Sequence, residues 1–298
     1  LFEMLRSKSG RLAVSAHRGA SGYAPENTMP AFEKALEINS DIIEFDVHLS
    51  RDGRCVVMHD EFLDRTTDAQ GPIWEYSWDE LKRLDAGSWF DRRCQAARQA
   101  QAQLPPDRSR LPIPEESFAG TRLPLLEEVL EWSRATQMPI SIELKVPWPF
   151  YYGLNMYPGL LEKVLELVAR YGDEELTSVH SFDHRLVLHS KELNSNITTM
   201  VSLGGATMVD PLGPARAAQA NGMAIGSQWV TPELVAAAHA EDMCLFGWGL
   251  GEDPFNQAED LCRLVDMGVD FVSGGYPDLL RTVVEKCQSV EREQFERF

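Results

Sequence analysis

Residues 42–49 read Ile42-Ile43-Glu44-Phe45-Asp46-Val47-His48-Leu49. In an extended chain Glu44 and Asp46, two positions apart, project to the same side. The rest of 42–47 is apolar, so in a barrel strand both carboxylates would face the interior or its mouth. Unpaired carboxylates are costly to bury there, and the segment therefore asks for cations of some kind beside it.

Similar short runs recur outward from this one: Leu12 to Ala16, Cys55 to Met58, Ile140 to Leu144, Leu176 to His180, Ile197 to Leu203, Met223 to Ser227, Cys244 to Trp248 and Phe271 to Ser273. Helical stretches lie between them, the alternation of a parallel α/β fold. Pro124 to Arg134 sets Leu126, Val129, Leu130 and Ser133 against Glu127, Glu128 and Glu131. Pro232 to Ala240 follows a capping Thr231, and Glu259 to Met267 ends at Gly268. The pattern predicts a (β/α)8 TIM barrel, which accepts most of the nine runs and leaves one outside.

The whole chain, 1–298, reads as one barrel domain with a rim insertion between the third and fourth runs, at about 61–121. Trp74, Trp78 and Trp89 give its first part apolar mass. From Asp91 to Thr121 it is rich in Gln, Ala, Arg and Pro and carries no core-forming strand. The last residues, about 286–298, form a polar helix or tail.

Composition excludes several classes. The 298 residues carry 28 Lys and Arg against 46 Asp and Glu, a net charge of -18 that repels nucleic acid and anionic surfaces. No apolar run approaches the roughly 18 residues of a membrane span. Five cysteines, an odd number with no CxxC pair, fit neither a disulfide framework nor a structural zinc site, and reduced thiols are expected. Residues 1–16 lack the long apolar run of a signal peptide, and a cytoplasmic location is the expectation. The chain begins at Leu1, so the sequence is silent on what precedes it. The Gly247, Gly249, Gly251 series does not open a helix as a dinucleotide loop would, and no GxSxG elbow occurs.

A barrel of this kind places its active site at the C-terminal ends of its strands. There the first run leads into His17-Arg18-Gly19, the second carries Glu44 and Asp46, the third ends at His59-Asp60, and the fourth carries Glu143 with Lys145. Glu44, Asp46 and Glu143 make an all-oxygen set suited to one divalent cation, Mg2+ or Ca2+. Arg18 and Lys145 beside them call for an anion, and a phosphodiester fits. His17 and His59 suit general acid and base work, because histidine ordinarily titrates near neutrality. Trp248, at a strand's C-terminal end, reads as pocket lining, whereas His180, His184 and His189 read as structural. The aromatic loop Pro147 to Gly153, continued by Leu154, Met156 and Tyr157, is a candidate substrate wall.

These motifs resemble the glycerophosphodiester phosphodiesterases. The resemblance rests on His17-Arg18-Gly19-Ala20-Ser21-Gly22-Tyr23-Ala24-Pro25-Glu26-Asn27-Thr28, Glu44-Phe45-Asp46-Val47, Asp52-Gly53 leading to Val56-Val57-Met58-His59-Asp60, and Asp64-Arg65-Thr66-Thr67. Leu84-Asp85-Ala86-Gly87, Leu123-Pro124-Leu125-Leu126-Glu127-Glu128, Ile142-Glu143-Leu144-Lys145 and Ser181-Phe182 follow in order. It implies hydrolysis of glycerophosphodiesters to glycerol 3-phosphate and an alcohol, with His17 and His59 catalytic and Glu44, Asp46 and Glu143 on the metal. It also implies that Arg18 and Lys145 contact phosphate, and that Asn27 and Glu26 shape the first loop or reach the site. Two departures stand out. Ser273-Gly274-Gly275 replaces the family's usual Thr-Asp before Tyr276-Pro277, and Gly249-Leu250 follows Trp248 in place of Thr-Val. Both are expected to widen the mouth near the leaving group. The competing readings are a lysophospholipase D acting on monoacyl phospholipids and a binding module that has kept the barrel without turnover. The absence of a His-x-His pair on the first run disfavours a metal-dependent amidohydrolase.

Overall fold

A computed structural model of the chain describes residues 1–2, 4–5, 12–104, 111–147, 156–204, 208–251 and 253–289. Eight strands run parallel and close on themselves: β1 (Ala13–His17), β2 (Ile42–Leu49), β4 (Ile140–Leu144), β5 (Thr177–Ser181), β6 (Thr198–Leu203), β7 (Gly222–Gly226), β8 (Cys244–Trp248) and β9 (Phe271–Gly274). The ninth, β3 (Cys55–Val57), is the run left outside. It pairs antiparallel with the far end of β2, Val47 opposite Val57 and Leu49 opposite Cys55. His59 therefore reaches the barrel mouth on a strand that doubles back, where the sequence reading had it at the end of a stave.

Period-two alternation sorts the side chains. Outward residues such as Val14, Ile43, Phe45, Ile142, Val179, Val201, Leu245 and Val272 are buried under the helices. Inward residues at the strand starts, Ala13, Ile42, Met200, Cys244 and Phe271, form an apolar floor. Phe2 and Leu5 seal it from below, the Phe2 and Phe271 rings 5.4 Å apart. Each large apolar side chain buried in this way contributes roughly 1.5–3 kcal/mol, which helps offset the polar layer above.

Around the barrel lie α1 (Met29–Glu37), α4 (Leu126–Thr136), α5 (Leu160–Tyr171), α6 (His184–Leu193), α7 (Gly213–Ala217), α8 (Pro232–Ala240), α9 (Ala258–Met267) and α10 (Pro277–Gln288). The expected caps are in place: Thr231 Oγ1 accepts the Leu234 N–H at 3.2 Å, and Gly268 is left-handed at φ 78°. Helix α4 starts two residues later than the periodicity suggests, because Pro124 and Leu125 are still extended. The Val57 N–H donates to the Pro124 carbonyl at 3.0 Å, and Leu125 bridges to Val56.

Between β3 and β4 stand the short α2 (Trp78–Leu81) and a fourteen-residue helix, α3 (Ser88–Gln101), in a segment whose composition gave no helical period. Leu63, Ile73, Leu81 and Leu123 pack with Val56 and Met58 in a separate small apolar cluster. The expected aromatic wall falls mostly on 148–155, outside the described residues; Tyr157 packs instead against the outer shell. Helix α10 takes in 286–288, and 290–298 lie outside the described residues.

The cysteine reading needs correcting. Cys262 on α9 and Cys287 on α10 form a disulfide, with Cα atoms 5.0 Å apart. An odd total conceals one pair, and twenty-five residues of separation carry no hint that the two helices lie side by side. Cys55, Cys94 and Cys244 are buried free thiols. No helix among the described residues is long and apolar enough to cross a membrane.

Candidate active site

Strand register assembles the site. His17 lies opposite Glu44, Asp46 opposite Glu143, and Glu143 opposite His180, so four adjacent strands deliver these groups to one level. His17, Glu44, Glu143 and His180 open onto a cavity of about 400 Å³ lined also by Arg18, His59, Lys145 and Trp248. Asn27 and Asp46 lie behind this wall.

The first loop is fixed by its own contacts. Arg18 and Asn27 are both left-handed, at φ 57° and 58°, an uncommon conformation for non-glycine residues that clusters at functional sites. The Asn27 N–H donates to the Arg18 carbonyl at 3.0 Å. Asn27 Nδ2 donates to Asp46 Oδ2 at 2.8 Å, while its Oδ1 accepts the Asp46 N–H at 3.2 Å. Asn27 thus orients a site carboxylate and is not part of the cavity wall. Gly22 must be glycine, since a Cβ there would stand 2.5 Å from the Tyr276 ring.

Charges alternate through the centre. Arg18 pairs with Glu26 at 2.7 Å and approaches Asp46 at 3.6 Å; Lys145 donates to Glu143 at 2.7 Å and lies 3.3 Å from Asp46. Burial alone would raise the Asp46 carboxyl, but Lys145, His59 and Arg18 outweigh it and hold it well below the usual range. Glu44 goes the other way, raised well above the usual range by burial and then by the Asp46 and Glu143 carboxylates. Burial also opposes the Lys145 charge, yet Asp46 and Glu143 keep its pKa above the ordinary lysine value. The His17 pKa is lowered, first by burial among the pocket walls and then by Arg18, which favours its neutral form. Its side chain is 45% open at the cavity mouth.

Three residues missed in the sequence belong here. His180, read as structural, is buried with Nδ1 at 3.0 Å from Ser202 Oγ and Nε2 at 3.7 Å from Glu44 Oε1. His48 continues the Glu44, Asp46 period, and its Nε2–H donates to the His59 carbonyl at 3.0 Å, fixing that backbone. The two-residue spacing was the available signal. Arg93 reaches the cavity from α3, in a segment without pattern. Of the remaining three histidines, His184 and His189 lie on α6 and His239 on α8, all away from the cavity lining, His184 bonded to the Ser202 carbonyl and His239 to Asp270.

Glu44, Glu143 and His180 present ligand atoms within 4.8 Å of one another and could hold a metal ion. Asp46 Oδ1 and His180 Nε2 are buried without a hydrogen-bond partner. The unbonded His180 Nε2, the raised Glu44 and the converging carboxylates are what a bound divalent cation would satisfy. Asp46, engaged by Arg18, Lys145 and Asn27, stands beside the trio as a third carboxylate.

The second half of the cavity differs. Phe182 and Trp248 meet edge to face at 6.0 Å, and Phe246, Leu250 and Gly274 continue the wall. The expected widening at Gly275 is absent: a Cβ there would meet Ser21 Oγ at 2.9 Å and the Gly22 nitrogen at 3.1 Å, so the first loop occupies that space.

A family model described as the glycerophosphoryl diester phosphodiesterase family matches residues 17–279, spanning both halves of this cavity. The chain belongs to that family. Among its relatives is a glycerophosphodiester phosphodiesterase of Caldanaerobacter subterraneus, 32% identical over 273 residues, covering 92% of this chain and 98% of the relative. With such relatives and these residues in one pocket, the chain is an enzyme of the family. A phosphodiesterase structure from Oleispira antarctica, in complex with the product sn-glycerol-3-phosphate, shares the fold at a TM-score of 0.74 and 24% identity, covering 94% of this chain and 99% of its own. A human lysophospholipase D is 34% identical over 192 residues, 63% of this chain and 51% of that protein.

Proposed function

We propose that the protein hydrolyses glycerophosphodiesters to glycerol 3-phosphate and an alcohol with the help of one divalent cation, Mg2+ or Ca2+. The observation that carries this reading is the convergence of His17, His59, Arg18, Lys145 and the Glu44 and Glu143 carboxylates on one cavity. Glu44, Glu143 and Asp46 would hold the cation, with His180 Nε2 adjacent. When bound, the ion would supply a Lewis acid for the phosphoryl oxygens.

The chain's own residues account for the rest. Arg18 and Lys145 bind the phosphodiester and oppose the charge that grows on its oxygens. Neutral His17 takes the proton of the attacking hydroxyl, either from water or from the glycerol 2-position, in which case a water then opens the cyclic phosphate to glycerol 3-phosphate. As the new P–O bond forms, the bond to the alcohol breaks and His59 gives a proton to the leaving oxygen. The Asp60 carboxylate, 2.6 Å from His59 Nδ1, orients the imidazole for this step. Trp248 lines the alcohol side. We read the chain as a single barrel domain, with about 61–121 as the rim insertion. The disulfide favours an oxidising compartment over the cytoplasm suggested by cysteine count.

The test is hydrolysis of glycerophosphocholine by the full chain, after EDTA and after Mg2+ or Ca2+ is restored. Activity is expected to vanish and return; turnover indifferent to chelation would overturn the metal reading. The apolar wall of Phe182, Trp248 and Leu250 favours a second reading, lysophospholipase D. Turnover of lysophosphatidylcholine with glycerophosphocholine inert would select it. Inactivity on both with binding retained would select the binding module.

A further inference from the structure

Arg65 does not line the cavity, yet its guanidinium engages both sides of the catalytic machinery. Nε and Nη2 donate to the two Asp60 oxygens at 2.6 and 2.9 Å. Nη1 and Nη2 donate to the two Glu26 oxygens at 2.8 and 2.7 Å. Asp60 in turn holds His59 Nδ1 at 2.6 Å, and Glu26 holds Arg18 Nη1 at 2.7 Å. The guanidinium carbon lies 6.0 Å from the Trp89 ring centroid on α3. Two bidentate forks from one planar group fix direction as well as distance, which a lysine would not do.

The arrangement matters because the two carboxylates come from different loops, one after β1 and the other after β3. Nothing in the strand register aligns them. Arg65 is half exposed, and an isolated ion pair at such a site would be worth little to stability. Its value lies in geometry: errors of about 1 Å at a reacting group can lower turnover roughly a hundredfold.

We propose that Arg65 is a positioning residue that sets His59 through Asp60 and Arg18 through Glu26, with Trp89 of the rim insertion bracing its guanidinium. The inference rests on the reading of His59 and Arg18 given above.

The experiment measures kcat and KM on glycerophosphocholine for Arg65→Met, for the double variant Glu26→Gln/Asp60→Asn, and for the triple variant, with thermal melts. Arg65→Met is expected to lower kcat by about tenfold to a hundredfold, as loss of supporting contacts does elsewhere. In the double background the same change should cost no more than about twofold, because its route is already cut. Millimolar guanidinium should restore part of the turnover of Arg65→Ala, which a purely structural loss would not allow. If Arg65→Met does not fold, Arg65→Lys carries the test, with the same expected loss in the wild-type background and near silence in the double one. Wild-type kcat in the single variant, or an equal loss in both backgrounds, would overturn the proposal. His59→Ala is run alongside: if it keeps turnover, the functional reading itself has failed, and if it is dead while Arg65 shows no coupling, only this inference falls.

Discussion

The two arcs of the barrel mouth are built from the same strand geometry and carry opposite contents. β1, β2, β4 and β5 bring His17, Glu44, Asp46, Glu143 and His180 to one level. At the corresponding level β6 to β9 bring Ser202, Ala224, Phe246, Trp248 and Ser273. In the first arc each ionised group has a partner, so its side chains have little freedom to change. In the second the wall is small or apolar, and its shape is set by contacts such as Phe182 on Trp248. The difference assigns charge handling to one arc and fit to the leaving alcohol to the other.

Asp46→Asn should break this division most severely. It leaves Arg18 and Lys145 facing a neutral amide in a buried site, where losing one partner of a buried pair costs about 3–5 kcal/mol. We expect kcat/KM on glycerophosphocholine to fall by at least about a thousandfold, together with a lower melting temperature. Trp248→Ala should act in the other arc. Its expected effect is a rise in KM of about tenfold with kcat within a few-fold, and the size of the rise should vary across a panel of alcohol head groups. An equal kcat loss on every diester would erase the distinction between the arcs. The smallest effect on turnover should come from Cys262→Ala/Cys287→Ala, which lies behind the second arc. Closing a loop of this length stabilises by about 3 kcal/mol, so denaturant melts should shift while kcat stays within about twofold.

Much of the first arc was legible because strand alternation is local: Glu44 and Asp46 announce their shared face two residues apart. His48 obeys the same period and was overlooked because it is bonded to a backbone carbonyl and makes no charge pattern. His180 was harder, since its meaning depends on Glu143 and Ser202, which register brings from neighbouring strands. The direction of β3 was also hidden, because an apolar run does not say which way its neighbour points. Arg93 and helix α3 sit in a segment whose composition has no period to read. Cys262 and Cys287 meet only because α9 and α10 pack together. What escaped, apart from His48, is set by long-range contact and not by sequence spacing.

The most direct measurement is the rate of glycerol 3-phosphate release from glycerophosphocholine by His17→Ala, with the divalent cation present. The assignment of proton transfer to the charged arc requires kcat to fall by about a hundredfold or more, with KM little changed. A His17→Ala enzyme that keeps kcat within about threefold of wild type would contradict it.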